Sequence, residues 1–133
     1  MVVLLAGAAT WFFWPTSEEW LFHRMLPKTT QEVHEWSWSD DFLPHYVYLL
    51  RARVTQEEFD VYVAKLGLTL HTPSRKYEEP AEPWLDWGRG PDEKTPWWNP
   101  SPSLQSTFVA QGHDTWTFAK YEKGRLYLKS LKH

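Results

Sequence analysis

Residues 55–67, Thr55-Gln56-Glu57-Glu58-Phe59-Asp60-Val61-Tyr62-Val63-Ala64-Lys65-Leu66-Gly67, form a helix signal with both ends marked. Thr55 is a good N-cap, and Glu58 is its reciprocal partner in a capping box. Phe59, Tyr62, Val63 and Leu66 fall at i, i+3, i+4 and i+7, which makes one apolar stripe. Gly67 sits where a left-handed C′ residue is wanted. The spacing predicts a helix over 56–66 whose stripe packs on a sheet.

The flanking segments supply that sheet. Upstream, residues 32–38 alternate: His34, Trp36 and Trp38 share one face, with Val33, Glu35 and Ser37 on the other. Ser39-Asp40-Asp41 and Pro44 are turn material. Tyr46, Tyr48, Leu50, Ala52 and Val54 line one side of a second strand. Its other side carries Val47 and Leu49, then Arg51 and Arg53, so that side is expected to be half buried. Downstream, residues 68–71 read as a short strand. The C-terminal third reads as three more, over 107–110, 115–121 and 125–131. Gly124 supplies the positive φ needed by the last hairpin. The order after the N-terminal helix is β-β-α-β, a long loop, then β-β-β. This indicates an α+β fold with one helix packed on an antiparallel sheet.

The long loop, residues 72–104, holds most of the chain's ten prolines together with Trp84, Trp87, Trp97 and Trp98. A structureless stretch of this length is unusual in a compact domain and points to a functional or a disordered loop. Its aromatic content argues against disorder. Trp84, Trp87, Trp97 and Trp98 are therefore candidate ligand- or partner-binding residues, on the pattern of glycan-stacking platforms and peptide grooves. The alternative is that the loop folds back as a satellite core. At least two of these indoles are then expected to be buried, with Trp97 and Trp98 left as an exposed pair.

Residues 1–14 carry no charged side chain. Val2, Val3, Leu4, Leu5, Trp11, Phe12, Phe13 and Trp14 mark them as a hydrophobic membrane anchor. The run ends at Pro15 and the acidic pair Glu18-Glu19. It is short: its length as a helix is about 20 Å, against a hydrocarbon core of about 30 Å. Two readings accommodate this. A basic leader and further apolar residues lie upstream of Met1, or the helix continues through Trp20-Leu21-Phe22 and sits shallow or tilted. The aromatic cluster suits the headgroup level. Thr16 to Glu19 forms a second capping box, for a short helix stopped before Pro27. The expected organisation is residues 1–27 as anchor helix and juxtamembrane turn, and 28–133 as a single α+β domain. The expected location is a membrane, single-pass as a signal-anchor, with the soluble domain extracytoplasmic.

Composition excludes several classes. The chain has 133 residues and no cysteine, which rules out disulfides, thiolate nucleophiles and cysteine-ligated zinc. A net charge of −3 gives no nucleic-acid footprint. Charge is uneven: residues 120–132 contain five basic and one acidic residue, and 78–93 contain six acidic and one basic. No cofactor motif is present. His34 and His45 flank the first hairpin, but a metal needs three or four converging ligands. His113-Asp114 suits a turn for backbone reasons. Ser101, Ser103 and Ser106 lack a nucleophile context. The acidic pairs Asp40-Asp41, Glu57-Glu58 and Glu78-Glu79 consist of neighbours whose side chains point apart. The expectation is a non-catalytic, membrane-anchored module whose partners are the membrane and another protein, serving as an accessory subunit. The alternative is a glycan- or peptide-binding domain using the Trp-rich loop.

Overall fold

The structure, a computed structural model, describes residues 17–39, 46–71, 87–88, 93–112 and 115–132. Helix α1 spans Ser17–Arg24, followed by strands β1 (Gln31–Ser39) and β2 (Tyr46–Arg53). Helix α2 (Gln56–Lys65) leads to the short β3 (Thr69–Leu70). After the loop come β4 (Phe108–Gln111), β5 (Thr115–Glu122) and β6 (Arg125–Lys132). The six strands make one antiparallel sheet in the order β1-β2-β6-β5-β4-β3. The last strand in sequence is thus central, flanked by β2 and β5.

Helix α2 forms as its caps dictate. The Thr55 hydroxyl accepts from the Glu58 N–H at 3.1 Å, and the Glu58 carboxylate accepts from the Thr55 N–H at 2.9 Å. Leu66 is the C-cap, and Gly67 takes φ +73°. Phe59, Tyr62 and Val63 face the sheet, where they pack with Tyr48, Leu50, Ala52, Leu126 and Leu128. Phe59 meets Phe108 edge-on at 5.6 Å, and Tyr62 donates to the Phe22 carbonyl of α1 at 2.8 Å. The same carboxylate that caps α2 accepts a hydrogen bond from Thr29, which ties the linker to the helix. Where the polar Thr117 and Ser130 enter this face, their hydroxyls bond at 3.0 Å, and Tyr46 joins Ser130 at 3.2 Å. These three hydroxyls thus satisfy one another within the sheet.

Strand boundaries differ slightly from expectation. Strand β1 is longer than 32–38, with a register shift between Gln31 and His34 and a positive φ at Glu32. Strand β3 is shorter than 68–71, because Leu68 turns into the core instead of pairing. The apolar run at 1–14, including Val2, Val3, Leu4, Leu5, Trp11, Phe12, Phe13 and Trp14, lies outside the described residues, as does Thr16 of its capping box. Among the described residues, no helix is long and apolar enough to cross a membrane.

Candidate functional site

The second face of the sheet carries what the helices do not cover. Period-2 alternation points His34, Trp36 and Trp38 of β1 to this side, with Val47, Leu49, Arg51 and Arg53 of β2. From β5 come Phe118, Lys120 and Glu122, and from β6 Arg125, Tyr127 and Leu131. The described part of the Trp-rich loop, residues 87–88 and 93–104, lies over the middle of this face. Trp87 is 1% exposed and Trp98 is 4% exposed, packed with Leu49, Phe118 and Tyr127. Trp87 meets Phe118 edge-on at 4.7 Å, and Trp98 meets Tyr127 edge-on at 5.5 Å. Both indole N–H groups are satisfied internally: Trp98 donates to the Trp87 carbonyl at 3.1 Å, and Trp87 to the Thr107 hydroxyl at 3.4 Å.

These placements revise one expectation. Trp98 is not one of an exposed pair; it is wedged between Trp87 and Tyr127, where its ring and its N–H both have partners. Trp97 is half buried and stacks on His34 with centroids 5.4 Å apart, so loop and β1 meet through this pair. Trp84 lies outside the described residues, as do His45, Asp40, Asp41, Glu78, Glu79 and His113-Asp114. Among the described residues, no group of three or more His, Cys, Asp or Glu converges as a metal set would. His23 pairs with Glu35 on the helix side.

Lys120 fastens the loop. It is 3% exposed, yet its ammonium is fully engaged. It donates to the Ser101 carbonyl at 2.6 Å, the Ser101 hydroxyl at 3.0 Å and the Ser103 carbonyl at 3.1 Å. It lies 4.9 Å from the centre of the Trp87 ring and 3.9 Å from the Glu122 carboxylate. Burial pushes the ammonium pKa down, and the Glu122 charge pulls it back up. Ser101 is thus a loop anchor and not a nucleophile. The role of Lys120 was hidden in a basic segment, although alternation already places it beside Phe118 on one face.

Glu122 completes the fastening by accepting from the Ser101 N–H at 2.9 Å. Burial raises its carboxyl pKa, but the Ser101 bonds and the Lys120 and Lys123 charges outweigh this and hold it below the ordinary 4.5. Glu58 is lowered likewise, by the Thr29 hydroxyl and then the Thr55 N–H. A carboxyl with a lowered folded pKa contributes stability that is present above its ordinary value and lost as pH falls through the folded one. Stability should therefore decline below pH 4.5, and Glu122→Gln should make that decline shallower. Denaturant unfolding at stepped acidic pH checks this; an unchanged slope in the variant overturns it.

Among the described residues, two exposed places stand out. One is the edge strand β1, where Trp38 is 49% exposed and Val33 37%. Among the described residues, β1 pairs only with β2, so its outer backbone edge has no strand neighbour. The other is an open cleft of about 510 Å³ lined by Leu70, His71, Leu104, Gln105 and Ser106. Comparison with known proteins found no matching family model, no similar curated protein and no similar solved structure.

Proposed function

We propose that this chain is a non-catalytic interaction module, held at a membrane by residues 1–14 and serving a membrane protein complex as an accessory subunit. The observation that carries the proposal is the free edge of β1 with its half-exposed Trp38. A nine-residue edge strand offers a row of unpaired backbone groups to an added strand. An aromatic side chain beside that row is the residue type that anchors protein interfaces. The uncharged run at 1–14 supports the membrane tether, and the signal-anchor plan puts the domain on the extracytoplasmic side. The reading as a glycan- or peptide-binding domain draws no support from Trp87 and Trp98, whose rings are used in the loop's own packing.

The test uses the full-length chain in its native membranes. It should stay with the membrane after an alkaline carbonate wash. After detergent solubilisation it should co-purify with a partner in fixed stoichiometry. Trp38→Ser combined with Val33→Ser should lose that partner while keeping the membrane association and the thermal midpoint. Release by carbonate overturns the tether, and a partner retained by the double variant overturns the β1 surface.

A further inference from the structure

The strand register sets up an unusual row of charge across the second face. Reading across four strands gives Gln31 on β1, Arg53 on β2, Arg125 on β6 and Glu122 on β5. Arg53 and Arg125 are therefore direct cross-strand neighbours on one face. Residues so placed have Cβ atoms about 5 Å apart, and like charges in that relation are destabilising. Arg51 lies on the same face, one row along, paired across to Tyr127 and diagonal to Arg125. A diagonal neighbour at about 7 Å is within reach of side chains this long.

Among the described residues, nothing neutralises this cluster. Arg53 and Arg125 make no ion pair, and their guanidinium groups take no hydrogen bond, among the described residues. The nearest acid in the row, Glu122, is committed to Ser101 and Lys120. Gln31, on the other flank, is neutral. Arg53 is exposed, and Arg51 and Arg125 are half exposed, so all remain open to a ligand. Arg51 is also held in place, because its Nη1 donates to the Trp97 carbonyl at 2.8 Å. That bond uses one of five guanidinium N–H donors and leaves the rest to face outward. This concentration of positive charge stands out in a chain whose net charge is −3.

We propose that Arg51, Arg53 and Arg125 form a binding site for a phosphate group, carried either by a lipid headgroup or by a small soluble molecule. A phosphate relieves the Arg53–Arg125 repulsion and accepts paired N–H bonds from planar guanidinium forks, a geometry that arginine satisfies and lysine does not. The site is separate from the β1 edge, so it stands or falls independently of the interaction surface proposed there.

The test uses the full-length protein in uncharged detergent, with inorganic phosphate as the first probe. Calorimetric titration should show saturable binding that weakens as sodium chloride is raised. Arg53→Gln should weaken it about tenfold or more, the equivalent of one lost charge-assisted bond. Arg53→Lys should recover only part of the loss. The second probe is a phosphatidylcholine vesicle with or without phosphatidic acid. The apolar N-terminus meets both vesicles alike, so preferential binding to the second reports the headgroup. Preference for phosphatidic acid identifies a lipid phosphate as the ligand; phosphate binding without that preference identifies a soluble one. The Arg53→Gln, Arg125→Gln double variant should lose both responses and, in the absence of phosphate, melt at or above the parent temperature. Parent and double variant responding alike to both probes overturns the site. A double variant melting well below the parent also overturns it, since the two arginines then serve the fold.

Discussion

Replacing Trp87 by alanine is expected to destabilise the protein by about 3–5 kcal/mol, the range for deleting a large buried aromatic. The effect should sit at the upper end because three interactions fail together. The ring fills the centre of the second core, edge-on to Phe118 and tilted against Trp98. Its N–H satisfies the buried Thr107 hydroxyl. Its π face lies beneath the Lys120 ammonium, a cation that is almost wholly desolvated and needs each of its partners. Trp97→Ala, which removes a half-buried ring stacked on His34, should cost markedly less. Equilibrium urea unfolding of the two variants provides the comparison. Equal and small losses would mean that the loop does not close the second face.

Phe59→Ala is expected to cost about 3–5 kcal/mol on the opposite side of the sheet. Phe59 is the pivot on which α2 rests, buried against Phe108 of β4 and Tyr121 of β5. The cavity cannot collapse easily, because the helix is fixed at both ends of its stripe. Its start is held by the capping box, and Tyr62 is bonded to α1 through the Phe22 carbonyl. Val61→Ala, on the same helix but 52% exposed, serves as the control and should change stability by less than about 0.5 kcal/mol. A Phe59→Ala protein with the parent's unfolding midpoint would show that the stripe is not what holds α2 to the sheet.

The two variants also probe different kinds of packing. The Phe59 core joins elements whose own residue patterns announce them. The Trp87 core joins a sheet to a loop that has no repeating pattern. Strand alternation correctly assigned Tyr46, Tyr48, Leu50, Ala52 and Val54 to one side of β2, and they are in the first core or packed against it. The same alternation left Leu49 on a face expected to be half buried. It is in fact buried, because Trp98 and Tyr127 share its cluster. Among the candidate binding residues, Trp87, Trp97 and Trp98 were visible as a group by composition. Which of them turned inward depended on the contours of Phe118 and Tyr127, far away in the chain.

Local rules were sufficient wherever the relevant interaction spans only a few residues. The capping box of α2, its apolar stripe, the positive φ of Gly67 and Gly124, and the period of each long strand follow from steric and hydrogen-bonding preferences within a turn or two. Pairing across long separations obeys no such rule. That β6 inserts between β2 and β5, that Lys120 is buried under Ser101 and Ser103, and that Arg53 stands opposite Arg125 all depend on register between distant strands. Register is settled only when both faces of the sheet find their covers at once, since a slip of one residue would exchange the faces of every side chain on the strand.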